Sequence, residues 1–165
     1  MAQEVAKAQV IEPYGPYGSQ LPQTYRFQLA EGERISAFSV RHGYIIDAIS
    51  FVVTKKDGST YTEKFGGNGG SESKVTLKAG EYVTRITGTY GNYEYNKGGP
   101  VIATLKICTN LNPAGYGTYG GFPNGQAFES PAKTDGPVVG TFGRSGEFLE
   151  SLGILIRKEF KKSSS

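Results

Sequence analysis

The sequence of 165 residues predicts an all-β domain made of three similar units closed around one axis. Three observations carry that expectation. Short runs rich in Val, Ile, Tyr, Phe and Thr are broken every 8 to 12 residues by Gly, Pro, Asn or Asp-Gly, the punctuation of many short strands. Helix signals are nearly absent. Gly-rich aromatic segments recur about every 50 residues, as "YGPYGS" at 14–19, "FGGNGGS" at 65–71 and "YGTYGG" at 116–121. One such unit would bury too little apolar surface to stand alone, so the three must share a core.

The strands follow in order. "TYRFQLA", "RISAFSV", "AISFVVT", "TYTEKFG", "KVTLKAG", "YVTRITGTY", "VIATLKICT", "PVVGTFG" and "LGILIRKEF" each read as a strand, within a total of about a dozen. "KKDGST" is an Asp-Gly hairpin turn, and "LAEGERI" and "LKAGEYV" are matching tight turns. The domain is expected over 14–160, after an N-terminal extension at 1–13 and before a frayed tail at 161–165.

Composition narrows the function. Glycine is abundant at 24 residues, roughly twice average usage. The net charge of +3, from 18 basic against 15 acidic residues, is too slight for a nucleic-acid partner, and no Lys/Arg stripe interleaves with aromatics. No stretch approaches the roughly 18 apolar residues of a membrane span. The start has no apolar segment of signal-peptide length, and no Asn-x-Ser/Thr sequon occurs. The single cysteine, Cys108, reads as a buried inert thiol. A cytoplasmic or nucleocytoplasmic protein is expected.

The chemistry gathers where a Gly-rich segment is followed, 25 to 30 residues on, by another glycine: Gly43 in "HGYIIDAI", Gly91 in "YGNYEYNK" and Gly146 in "SGEFLESLGI". Asp47 poses a question. An unpaired carboxylate between Ile46 and Ala48 would cost several kcal/mol inside an ordinary buried strand. Either it faces water at a strand end or it is placed to hold something.

A Gly-rich aromatic loop, then strands, then Gly-x-x-x-Asp followed by Ala-Ile resembles the jacalin-related lectins, and "GTYGGFPNGQAF…GPVVGTFGRSGEFLESLGILI" resembles the last third of that family. The resemblance implies a β-prism of three four-stranded Greek-key sheets and places the chain nearer the mannose-binding branch. It implies a sugar site in which the Asp carboxylate accepts from two hydroxyls, backbone N–H groups donate back, and the last Gly of a neighbouring loop approaches the sugar. A charged acceptor beside fixed donors suits paired hydroxyls, which both donate and accept.

Carried onto this chain, that site falls on Gly43, Tyr44, Ile45 and Asp47, with Gly69 and Gly70 as the companion loop; Tyr44 and Ile45 would offer their N–H groups, and Asp47 would be exposed. A second site falls on Gly146, Glu147, Phe148 and Glu150, beside Gly18. It departs from the pattern. Glu150 stands where Asp is expected, its extra methylene moves the carboxylate by about 1.5 Å, and binding constellations tolerate only about 0.5 Å. Pro22 falls on the last Gly of the companion loop and has no N–H to give. Gly91–Tyr95 ends in Tyr, so no carboxylate-centred site is expected there. The 43–47 site should therefore bind at least as well as the 146–150 site.

His42, the only histidine, reads as a solvated strand-end residue. No Cys/His cluster or calcium-loop spacing occurs, so neither metal nor cofactor is expected. Glycans are the expected partners, bound without catalysis, with a homo-oligomer, a dimer foremost, supplying avidity. The rival readings are a prism that has lost sugar binding and serves as a structural or protein-interaction module, favoured by Glu150 and Pro22, and a small glycosidase using Glu147 and Glu150.

Overall fold

The computed structural model describes residues 7–132 and 136–161. They form twelve strands: β1 (Lys7–Gly18), β2 (Tyr25–Gln28), β3 (Arg34–His42), β4 (Ile46–Thr54), β5 (Thr60–Gly66), β6 (Ser71–Thr76), β7 (Val83–Asn92), β8 (Pro100–Thr109), β9 (Tyr116–Tyr119), β10 (Gln126–Glu129), β11 (Val138–Ser145) and β12 (Leu149–Lys161). Three four-stranded antiparallel sheets result, ordered β5-β4-β3-β6, β10-β7-β8-β9 and β1-β12-β11-β2. In each, a central hairpin is flanked by the two strands of an outer pair. The third sheet draws its hairpin from the C-terminal part of the chain and its outer pair from the N-terminal part, so closure of the prism ties the two ends together.

The inward residues of all three sheets share one core. Phe38, Ile46, Ile49, Ile102, Leu105, Ile107, Leu149, Leu152, Ile154 and Ile156 are essentially inaccessible, each contributing about 1.5–3 kcal/mol by burial. Tyr25 stacks on Phe65 and Tyr17 on Phe128, pinning one sheet to the next. The predicted turns form as expected. In both Ala30–Glu33 and Lys78–Glu81 the last N–H donates to the first carbonyl, and the Glu carboxylate accepts from the first N–H. At the Asp-Gly turn Gly58 N–H donates to the Lys55 carbonyl.

Two sequence expectations differ from the structure. β1 begins at Lys7, so residues 7–13 lie along β12 rather than ahead of the domain; without them the long β12 would present a bare row of backbone donors and acceptors. The segments "YGPYG" and "YGTY", read as loops from their glycines, are strand: the first ends β1 and the second is β9. Their glycines lie where backbones approach closely. A Cβ on Gly117, for example, would stand 2.8 Å from the Leu105 carbonyl oxygen. Residues 1–6 and the 162–165 part of the predicted tail lie outside the described residues.

Candidate functional site

Each central hairpin carries a β-bulge next to its loop. Arg41 pairs with Ala48 but His42 pairs with Ile46, leaving Asp47 as the extra residue. Arg144 pairs with Ser151 but Ser145 pairs with Leu149, leaving Glu150. Thr89 pairs with Thr104 but Tyr90 pairs with Ile102, leaving Ala103. A bulge frees one residue from the ladder and re-aims its side chain. That answers why a carboxylate sits between two buried apolar residues: Ile46 and Ala48 anchor the strand while the bulge turns Asp47 aside. The third counterpart is Ala103, and not Tyr95, because the β7–β8 loop runs over 93–99 whereas the other two span only 43–45 and 146–148.

The bulge carbonyls locate the companion loops. Gly67 N–H donates to the Asp47 carbonyl at 3.0 Å, and Ser19 N–H to the Glu150 carbonyl at 3.0 Å. Gly66–Gly70 therefore corresponds to Gly18–Pro22, with Pro22 on Gly70. Two arginines repeat the correspondence: Arg41 Nη2 donates to the Gly70 carbonyl and Arg144 Nη1 to the Pro22 carbonyl, both at 3.0 Å.

Asp47 lies beside the loop that Arg41 fastens. Arg41 Nε also donates to the Gly69 carbonyl at 2.9 Å. A Cβ on Gly69 would stand 2.6 Å from Asp47 Oδ1, and one on Gly70 would stand 2.7 Å from Oδ2. Both glycines are thus needed for the loop to pass the carboxylate, and Gly70 adopts φ +68°, which favours glycine. Asp47 is only 8% exposed, against the expectation of an exposed side chain; the two loops enclose it. Neither carboxylate oxygen accepts a hydrogen bond from the described residues. Burial pushes its carboxyl above the ordinary range, and the nearby charges of Arg41 and His42 pull the other way. His42, half-buried, is hydrogen-bonded to the Ser73 hydroxyl at 2.7 Å rather than solvated alone.

The turn above Asp47 is set by Gly43 N–H donating to the Ile45 carbonyl at 3.1 Å, and its counterpart by Gly146 N–H to Phe148 at 3.0 Å. Ile45 is buried. The Tyr44 carbonyl accepts from Gly121 N–H at 3.0 Å, while the N–H groups of Tyr44 and Ile45 have no backbone acceptor among the described residues.

Asp47 opens into a depression of about 400 Å³, lined by Gly67, Asn68, Gly69, Gly146, Glu147 and Phe148. The structure thus brings Gly146, Glu147 and Phe148, expected at the Glu150 site, round to form a wall of the Asp47 site. Gly67 makes the join: a Cβ there would lie 2.2 Å from the Glu147 carbonyl oxygen. A carboxylate with unused acceptor capacity, beside backbone donors and an aromatic wall, is suited to hold a neutral polyhydroxylated ligand.

Glu150 is differently placed. It is 6% exposed, and its Oε1 lies 3.4 Å from Arg144 Nε and 3.4 Å from Asn96 Nδ2 of the long β7–β8 loop. Gly18 is buried at the end of β1 against the Glu150 backbone. Arg41, Arg144 and Asn96 were not singled out from the sequence. "RHGYIID" and "RSGEFLE" carry the arginines at one spacing from the motif glycine, a signal that could have found them. A second depression, about 410 Å³, opens among Leu29, Ile35, Val83 and Val138. Its two carboxylates are engaged, Glu33 by Tyr61 and Glu81 by Thr109 and Tyr116.

Comparison with known proteins supplies the context. The jacalin-like lectin domain family matches residues 11–155. Horcolin from Hordeum vulgare is 35% identical over 126 residues, covering 74% of this chain and 82% of its own. The structure of Calsepa lectin from Calystegia sepium in complex with a biantennary N-glycan superposes with a TM-score of 0.75 at 28% identity, over 93% of this chain and 98% of that one. A mannose-binding jacalin-related lectin from Ananas comosus superposes with a TM-score of 0.73 at 25% identity, over 91% and 99%.

Proposed function

The chain belongs to the jacalin-like lectin domain family and is a carbohydrate-binding lectin; we propose that its sugar site is the Asp47 depression and that its ligands are mannose-type glycans. The observation that carries this reading is the unpaired Asp47 carboxylate, enclosed by loops whose glycines make room for it and held in place by the bulge. The mannose preference is supported by relatives named mannose/glucose-specific or mannose-binding. In this arrangement Asp47 accepts from two adjacent sugar hydroxyls, and free N–H groups of the 43–45 turn donate to a sugar oxygen. No bond is made or broken.

One such site offers a few hydrogen bonds, each about 0.5–1.5 kcal/mol net and up to about 3 where charged. That corresponds to roughly millimolar affinity for a monosaccharide. Pairing of chains into a dimer would raise avidity by about 10²–10⁴. The test is titration of wild type and Asp47→Ala with a mannose oligosaccharide. Loss of the charged acceptor is expected to cost about 1.5–3 kcal/mol, ten- to over a hundredfold in affinity. Unchanged binding would remove Asp47 from the site.

A further inference from the structure

The chain holds two Asn-Gly pairs, Asn68-Gly69 and Asn124-Gly125, and their surroundings differ. Asn68 lines the Asp47 depression, and both it and Gly69 are exposed. The Asn68 side-chain oxygen accepts from the ammonium of Lys64 on β5. The Gly69 N–H has no acceptor among the described residues, and glycine puts no Cβ in front of it. Asn124 instead sits at φ +59°. Its glycine is half-buried: a Cβ there would stand 2.8 Å from the Thr89 side chain and 3.1 Å from the Tyr90 carbonyl oxygen. No cation among the described residues reaches the Asn124 side chain.

An Asn-Gly pair can react with itself. The main-chain nitrogen of Gly69, losing its proton, bonds to Asn68 Cγ. The bond from Cγ to the side-chain nitrogen breaks, and ammonia leaves with that proton. A cyclic succinimide remains. Water then adds to one of its carbonyls and opens the ring. Opening at the side-chain carbonyl yields aspartate; opening at the main-chain carbonyl yields isoaspartate, whose backbone runs through the former side chain. In sum an amide and a water become a carboxylate and an ammonium ion, with no oxidant or reductant. The Lys64 ammonium sits on the oxygen that becomes an oxyanion during the attack, so it draws electrons from Cγ and stabilises the charge that develops. The glycines on both sides of Asn68 give the chain the freedom that ring closure needs.

We propose that Asn68-Gly69 is a spontaneous deamidation site, activated by Lys64, whose conversion to a carboxylate weakens sugar binding at Asp47. The effect on sugar rests on the Asp47 reading; the modification itself does not. Either product puts a second negative charge in or beside the depression, where it opposes the ionisation of Asp47. The isoaspartyl product also lengthens the loop main chain by one methylene, about 1.5 Å, where binding constellations tolerate about 0.5 Å. The added length must displace a fastened neighbour, either the Gly67 N–H on the Asp47 carbonyl or the Gly69 and Gly70 carbonyls on Arg41. The close passage that demands glycine at 69, where a Cβ would lie 2.6 Å from Asp47 Oδ1, is thus also what leaves the pair open to this reaction.

The test is peptide-mapping mass spectrometry of the full chain through incubation in mildly alkaline buffer. Ion exchange then separates the fraction modified at 68, and each fraction is titrated with methyl α-mannoside. Position 68 is expected to exchange amide for acid several-fold sooner than position 124. The modified fraction should bind about tenfold more weakly than the unmodified one. Lys64→Met, at an exposed position, should slow the change at 68 several-fold and leave 124 alone. Asn68→Ser should hold its own starting affinity through the same incubation. If 68 does not convert, or converts no faster than 124, the site assignment is wrong. If Lys64→Met converts at the wild-type rate, activation by Lys64 is wrong. If the modified fraction binds like the unmodified one while Asp47→Ala does not bind, the proposal falls alone. If Asp47→Ala binds normally as well, the Asp47 reading falls with it.

Discussion

Asp47 and Glu150 occupy the same place in two sheets related by the internal symmetry, and one methylene separates their fates. Each is the extra residue of a bulge, each offers its carbonyl to a companion loop, and each has an arginine at the same register, Arg41 or Arg144. Arg41 spends Nε and Nη2 on the Gly69 and Gly70 carbonyls, and Asp47 is too short to compete for it. Arg144 gives Nη1 to the Pro22 carbonyl, and the longer Glu150 reaches its Nε. Both Asp47 oxygens are thereby left open as acceptors, while Glu150 has its Oε1 drawn to Arg144 and Asn96. The companion loops differ in the same sense, since Pro22 has no N–H where Gly70 has one. A site is defined here by which acceptors remain unpaired once the fold is complete.

After Asp47→Ala, the variant expected to break this comparison most visibly is Gly70→Ala. The new Cβ would stand 2.7 Å from Asp47 Oδ2 and 2.6 Å from the His42 carbonyl oxygen, at a φ of +68°. Roughly 1 kcal/mol or more of stability and about tenfold or more of sugar affinity should be lost, read by thermal unfolding and by titration. An alanine at Pro22 should leave affinity where it was.

The Asp47 carboxylate also brings a dependence on pH. Burial raises the folded-state pKa of Asp47 above its unfolded value, so ionised Asp47 costs stability at neutral pH. That cost disappears as pH falls through the raised pKa. Asp47→Asn should therefore raise the melting temperature at neutral pH, and the advantage should vanish in acid. Sugar binding by wild type should move oppositely, weakening as the pH drops, because the acceptor must be ionised. Equal melting temperatures of Asp47→Asn and wild type at neutral pH would show that the carboxylate carries no burial cost.

The smallest effect is expected at the Glu150 carboxylate. Glu150→Ala should change mannoside affinity at the Asp47 site by no more than about twofold, since Glu150 contacts Arg144 and Asn96 and does not line the depression.

The sequence made part of this difference legible. Gly-x-x-x-Asp with Gly-rich 66–70, and the departures at Glu150 and Pro22, could be read from residue types alone, and the backbone register bears out the match of Pro22 with Gly70. The three-unit architecture was legible from its 50-residue period. The bulges were not, because the extra residue is defined by the partner strand. For the same reason the third motif was placed on Tyr95 rather than Ala103: the longer 93–99 loop displaces the spacing. β1 and β9 read as loops because glycine signals both flexibility and close backbone approach, and only the packed neighbour tells which. Tyr93 meets both Tyr44 and Phe148 ring to ring across three loops, so no local pattern announces those contacts.

The most direct measurement is a crystal structure of the protein soaked with methyl α-mannoside. A pyranose is expected in the depression beside Asp47, between 67–69 and 146–148, with two hydroxyls on the Asp47 carboxylate and the Glu150–Arg144 pair intact. A sugar seated on Glu150 with Arg144 displaced, and Asp47 left without ligand, would contradict that expectation.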